Sequence, residues 1–193
     1  MLRKLTTNRL ILTTLLLAAL AKPVNAADTY KLDPTHTAIV FHINHFGFSN
    51  PSGKFMNVDG AVVLDQQNPA ASKLNVTIPI ATIDTDVPKL DEHLKSKEFF
   101  DAATYPTATF VSTKVDVTGK DTAIVHGTLT LHGISKPVDL NVQLNKIGEN
   151  FMKQPTAGFS ASAVIKRSDF GITTYLPALG DEVRLDIESE ANL

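Results

Sequence analysis

Three stretches of the chain alternate strictly between apolar and polar residues. Leu74, Val76, Ile78 and Ile80 alternate with Asn75, Thr77 and Pro79. Val138, Leu140, Val142 and Leu144 alternate with Asp139, Asn141, Gln143 and Asn145. Val183, Leu185 and Ile187 alternate with Glu182, Arg184, Asp186 and Glu188. A period of two is the signature of a sheet with one dry and one wet face. Weaker runs of the same kind cover 36–45, 54–65, 107–117, 122–132 and 156–167. Together they predict about eight strands. Turn residues separate them: Asn50-Pro51-Ser52-Gly53, Gln67-Asn68-Pro69, Thr118-Gly119-Lys120, His132-Gly133 and Ile147-Gly148-Glu149-Asn150. No long helical pattern lies between the runs, which excludes a parallel βαβ architecture. The chain shows neither an internal repeat nor a low-complexity linker, so one domain is expected.

About eight amphipathic antiparallel strands form either a sandwich or a closed barrel. Several runs approach ten residues, roughly 33 Å. The first also carries apolar groups on both faces, with Ile39, Phe41 and Ile43 on one side and Val40 on the other. Both features favour an all-β, eight-stranded antiparallel barrel. Its interior is wide enough to be filled by side chains or to hold one small ligand, and the alternation is compatible with both.

One stretch breaks the strand pattern. Residues 89–106 read KLDEHLKSKEFFDAATYP. Pro88 suits a first helical turn, Lys89 to Ser96 are mostly good helix formers, and Leu90 and Leu94 fall on one face. This predicts a short helix near 88–97, ending at Phe99-Phe100, with at least one of those rings packed into the sheet interior. Tyr105-Pro106 then stops any helix and starts the next strand. The element reads as a cap across one end of a barrel.

The first 26 residues have a different character. Arg3, Lys4 and Arg9 precede an apolar run, Leu10 to Leu20, broken only by Thr13 and Thr14. Lys22-Pro23 and Val24-Asn25-Ala26 follow. This is the pattern of a secretory signal peptide cleaved after Ala26, and the apolar run is too short to span a bilayer as an anchor. The expected exported chain, residues 27–193, keeps 14 of the 18 basic residues and all 20 acidic ones, a formal charge of −6. It has no Lys/Arg cluster, which argues against nucleic acid as a partner. There is no cysteine, hence no thiol chemistry, no disulfide and no lipidated N-terminus. The reading is a periplasmic protein without a stable membrane anchor.

Chemical motifs are sparse. His36 and His42 share strand parity but stand roughly 20 Å apart along an extended chain, and His45 has the opposite parity. Asp91, Glu92 and His93 are consecutive on a helix and fan out, and no H-E-x-x-H is present, so no metal site is expected. Gly158-Phe159-Ser160-Ala161-Ser162 falls short of a nucleophile elbow by its last residue. No dinucleotide or P-loop fingerprint occurs, so no cofactor is expected. Arg167 and Asp169 are two apart, spaced for a local ion pair or for a clamp on a ligand head group. Enzymatic activity is not expected.

Four segments carry a resemblance. HLKSKEFFDAATYPTATF (93–110), THTAIVFHINHFGFSNPSGKF (35–55), GTLTLHGISKPVDL (127–140) and IKRSDFGI (165–172) together resemble the YceI family of exported, lipocalin-like proteins described as polyisoprenoid binders. Family members often carry Arg-Asp two residues before the helix histidine; here Leu90-Asp91 stands there. The resemblance implies an extended lipocalin-like barrel around a long apolar channel. Its occupant would be a long-chain amphiphile: a polyprenyl quinone, a polyprenyl phosphate, or a fatty acid or amide. The lipid would be a ligand rather than a cofactor, and a homodimer is implied as well. His36, His45 and His93 match motif positions. The candidate channel and cap residues are Phe41, Ile43, Phe55, His93, Phe99, Phe100, Phe110, Phe159, Arg167 and Phe170, although ordinary core packing would account for any single phenylalanine. Two competing readings are a stress-related barrel plugged by its own side chains and a small metal-dependent enzyme.

Overall fold

The computed structural model describes residues 27–193; the expected leader lies outside the described residues. The strands are β1 (Asp28–Leu32), β2 (Ala38–His45), β3 (Ser52–Phe55), β4 (Asp59–Leu64), β5 (Lys73–Pro79), β6 (Ile83–Asp84), β7 (Thr107–Val117), β8 (Thr122–Leu131), β9 (Ile134–Glu149), β10 (Pro155–Lys166) and β11 (Leu179–Asn192). One α-helix, α1 (Pro88–Lys95), interrupts them. All pairings are antiparallel.

The sheet runs β1-β4-β5-β7-β8-β9-β10-β11 and returns to β1, closing an eight-strand barrel. Closure depends on β11. Its far end pairs with β1 (Lys31 opposite Asn192), and the rest of its length pairs with β2, from Ala38 opposite Glu188 to Ile43 opposite Val183. In turn β2 carries β3, and β3 carries β6. Thus β1/β2, β3/β4 and β5/β6 are three staves, each broken once. The breaks have local causes. Asp33-Pro34 removes a donor, Asn57 adopts φ 54°, and Pro79 leads into a 3-10 turn at Ile80–Thr82. Thr37, Val58 and Ile80, one from each break, are all nearly fully buried.

This corrects the reading of 54–65 as one run: it is β3 and β4 with a turn between them. The turn expected at Asn50–Gly53 lies earlier, because Ser52 and Gly53 already belong to β3. Short β1 and β6 carry too little pattern to register as periodic. The strand expected over 156–167 ends at Lys166, since Arg167–Phe170 coils into a 3-10 turn.

The broken staves leave a gap between β6 and β7, and α1 with residues 96–106 fills it. Asp91 Oδ1 accepts hydrogen bonds from Thr85 N (2.8 Å) and Thr85 Oγ1 (2.6 Å), tying the helix to the end of β6. Ile80 N donates to Pro106 O at 2.9 Å. The helix ends at Lys95, earlier than expected, with Ser96 extended. Phe99 and Phe100 therefore sit in the turn that follows it.

Alternate residues of β9 and β11 divide as the sequence implies. Val138, Leu140, Val142, Val183, Leu185 and Ile187 face the lumen, and charged and amide residues face out. Apolar inside and polar outside is the reverse of a transmembrane barrel. Among the described residues no helix is long and apolar enough to cross a membrane.

The outer wall carries one three-strand charge cluster. His126 of β8 places Nδ1 2.7 Å from Asp139 Oδ1 of β9 and Nε2 3.0 Å from Asp116 Oδ2 of β7. Hydrogen bonding to Asp139, then to Asp116, raises the His126 pKa above its usual value. Bonds from Lys114 and His126 lower that of Asp116. The histidine contribution is complete below its unfolded pKa and fades as pH rises through the folded one. The aspartate contribution is complete above its unfolded pKa and fades on acidification. The cluster should therefore stabilise most between about pH 4 and 6.5. In urea melts, His126→Asn should flatten the decline in stability above that window relative to the wild type; identical pH profiles would refute the coupling.

Candidate functional site

The lumen is not filled. A cavity of about 910 Å³ runs from the β4–β5 and β7–β8 turns at one end to α1 and the β2–β3 turn at the other. That is near the upper bound for small-molecule sites, which are mostly apolar with a few polar groups. Its wall is aliphatic along most of its length. Thr37 and Ser189, whose hydroxyl oxygens are 3.1 Å apart, form a polar pair in the wall.

Aromatic residues gather toward α1. The rings of Phe41 and Phe55 lie 5.8 Å apart, and Phe55 meets Phe100 edge-on at 5.6 Å. Phe99, only 6% exposed, contacts His93 at 5.1 Å and Tyr175 at 6.2 Å. His93 Nε2 is 2.7 Å from Glu98 Oε2, and Thr174 Oγ1 donates to the Glu98 carbonyl. The first bond ties α1 to the turn that follows it, and the second ties that turn to the loop before β11. Edge-to-face arrangement is the favoured geometry for such pairs.

Two glycines keep the lumen open. Gly53 stands opposite Phe41 on the neighbouring strand, and a Cβ there would collide with the Phe41 ring. A Cβ on Gly127 would likewise strike the ring of Phe110. Each ring lies against the wall in the space a side chain would have taken, rather than projecting across the channel.

Of the sequence candidates, Phe41, Ile43, Phe55, His93, Phe99, Phe100, Phe110, Phe159 and Arg167 all border the cavity. Phe170 does not; it is 1% exposed and packs in the core, where its carbonyl lies 3.0 Å from His132 Nδ1. The motif histidines separate. His45 and His93 both border the mouth at α1, whereas His36 lies 2.9 Å from Asp33 in the first stave break. His42 faces outward, 3.2 Å from Asp186. Tyr175 was not legible in the sequence, because its loop has no periodicity and reaches the mouth only through the fold.

Arg167 is used differently from either reading of it. It is 5% exposed and starts a 3-10 turn, so it and Asp169 do not lie side by side on one face of a strand. Its Nε donates to Gly180 O (2.7 Å), Nη1 to Ile172 O (3.1 Å) and Thr174 O (2.8 Å), and Nη2 to Leu179 O (2.9 Å). Among the described residues no carboxylate oxygen lies within 4.0 Å of it. Burial lowers its pKa and nearby Asp181 opposes the shift, but a guanidinium stays charged. Four of its five donors bind the chain between Ile172 and Gly180, making Arg167 the staple of the mouth loop. Among the described residues no three His, Asp or Glu groups are placed to hold a metal ion.

The YceI-like domain model matches residues 30–191, almost the whole barrel. The chain belongs to the YceI family. Protein YceI of Escherichia coli O17:K52:H18 (strain UMN026 / ExPEC) is 43% identical over 167 residues, 86% of each chain. The crystal structure of Burkholderia cenocepacia BcnA, 26% identical, superposes with a TM-score of 0.76 over 83% of this chain and 99% of that one. A polyisoprenoid binding domain from Saccharophagus degradans, implicated in plant cell wall breakdown, matches in fold at a TM-score of 0.65. It is 16% identical, over 87% of this chain and 99% of that one. The expected all-β barrel with one short helix is thus the family architecture.

Two substitutions test the site. Arg167→Met would strand several buried carbonyls and should cost about 3 kcal/mol, lowering Tm by roughly 6–12 °C in calorimetry. Unchanged melting with weaker ligand retention would make Arg167 a head-group contact instead. Gly127→Val should swing Phe110 into the lumen and reduce several-fold the uptake of an apolar fluorescent probe, N-phenyl-1-naphthylamine, followed by titration. Undiminished loading would show that the ring has another place to go.

Proposed function

We propose that this YceI-family protein is an exported carrier that holds a long-chain amphiphile, isoprenoid or fatty-acyl, inside the barrel. The apolar cavity of about 910 Å³ carries the reading. A barrel plugged by its own side chains would have no such space. The aliphatic wall offers little to a polar substrate, and its paired hydroxyls at Thr37 and Ser189 are not arranged as a nucleophile with a base. The Saccharophagus degradans domain, described as polyisoprenoid binding, has the same fold.

Energetics suit a carrier. A tail that loses roughly 400 Å² of apolar surface gains on the order of 10 kcal/mol gross, and immobilisation takes back several kcal/mol. What remains holds a lipid without making it permanent. A head group would sit at the α1 mouth, beside His45 and His93. With Leu90 where relatives often have arginine, recognition there rests on shape more than on charge. The leader pattern of residues 1–26 and the apolar-in, polar-out wall both agree with work in the periplasm.

Organic extraction of the purified protein followed by mass spectrometry should yield one long-chain lipid per barrel. A protein that carries none, and takes up none when offered polyprenols or fatty acids, would rule the carrier out. Phe99→Ala/Phe100→Ala should lower retention at least tenfold, whereas Phe151→Ala, in the exposed β9–β10 turn, should leave it unchanged. Equal retention in both would detach the cap turn from the ligand.

A further inference from the structure

The α1 end of the barrel is ringed by exposed apolar side chains from three separate segments. Phe46 and Phe48 come from the β2–β3 turn, Val87 and Leu90 from the start of α1, and Tyr175 from the loop before β11. Phe48 is 89% exposed. Phe46, Leu90 and Tyr175 also border the cavity, so apolar surface continues unbroken from the rim into the channel. The opposite mouth is bordered by Gln66, Lys73, Lys120 and Asp121, with Pro69 and the half-exposed Val117 as its apolar members. Phe151 and Met152 protrude from a single turn at that end, and neither touches the cavity.

The backbone adds a second observation. Phe46 and Tyr175 hold φ values of 55° and 61°, a region disfavoured for bulky residues and suited to glycine or asparagine. Folding stability alone would place small residues there. Tyr175 also packs against Phe99 inside the mouth; Phe46, 43% exposed, is kept at the rim at a local conformational cost, which points to a role outside the fold.

We propose that this rim is a membrane-docking surface. Its aromatic and aliphatic tips enter the boundary between head groups and acyl chains of a lipid bilayer, so that the occupant of the channel passes between bilayer and barrel without crossing water. Contiguous exposed apolar surface marks an interaction site, and shallow insertion of such side chains is how monotopic proteins attach. The occupant is a bilayer rather than a protein face because the apolar patch is a ring around an opening. A partner protein would seal the exit, whereas lipid continues it. Lys89, Lys95 and Lys97 stand near the rim beside Asp86, Asp91, Glu92 and Glu98. With both signs interspersed, attachment comes from apolar insertion and needs no anionic lipid.

This inference rests on the channel holding a lipid tail, and two separate assays keep the two ideas apart. In flotation with neutral phosphatidylcholine vesicles, the wild-type protein should associate equally at low and high salt. Phe48→Ser/Val87→Ser, neither of which borders the cavity, should associate at least tenfold less. Phe151→Ser/Met152→Ser should match the wild type. Phe46→Asn should also lose association while melting no earlier than wild type, the opposite of what a structural role demands. In vesicle-free solution, N-phenyl-1-naphthylamine fluorescence should report the same channel occupancy for wild type and for Phe48→Ser/Val87→Ser. Docking is overturned if the wild type fails to float, if both double variants lose association equally, or if the wild type is a dimer that ignores vesicles and is split by Phe48→Ser/Val87→Ser. Normal flotation without dye binding would uphold docking and count against the channel reading alone.

Discussion

Everything in this structure follows from how β11 is paired. A sheet whose inner residues are apolar must hide that face, and the described residues hold neither a second sheet nor a long helix to lay against it. The remaining solution is to curl the sheet until its edges meet. Those edges meet on β11, which hydrogen-bonds to β10 along one side and to β1 and β2 in succession along the other. With no cysteine in the chain, backbone hydrogen bonds and packing alone hold this closure. An eight-strand barrel can be filled by side chains or can hold one ligand, and here the inward leucines, isoleucines and valines leave about 910 Å³ between them. The channel is therefore a consequence of closure with medium-sized side chains. The aromatic residues that could have filled it are laid against glycines or gathered at the capped end.

The chain's chemistry explains how much of this could be read in advance. Period-two alternation marks strands strongly when one face is wet and the other dry, so β7, β8, β9 and β11 were legible. It says nothing about where a long strand is interrupted. The turn at Asn57 splits the run 54–65, and the 3-10 coil after Pro79 separates β5 from a two-residue β6 that carries no pattern of its own. The cap was legible because Pro88, Leu90 and Leu94 have helical logic inside a strand-rich chain. Its end was misplaced, because the turn that follows is fixed by contacts to Thr174 and Tyr175, far away in sequence.

The candidate site shows the same division. Nine of the ten residues singled out border the cavity; for Phe41, Ile43, Phe55, Phe110 and Phe159 the reason is inward parity on an amphipathic strand, which is a sequence property. Phe170 has the same chemistry and a different fate, since it belongs to a 3-10 turn that folds under the end of the barrel. Arg167 shows how charge misleads. A lone buried cation suggests a head group, yet peptide carbonyls of the mouth loop take up four of its donors. Polar groups in this barrel mainly position backbone, and the lumen is left to shape and apolar contact.

The three interrupted staves have a mechanical consequence. Their breaks fall at one level, so the barrel has two tiers of unequal rigidity. The tier toward the termini is a continuous hydrogen-bonded ring. The tier beneath α1 hangs on one side from β11 alone, through β2, β3 and the two-residue β6. Between β6 and β7 no ladder joins that tier, and only α1 and residues 96–106 close the wall. A seam without ladder bonds is the weakest part of the wall, so the doorway at α1 would yield before the upper ring does.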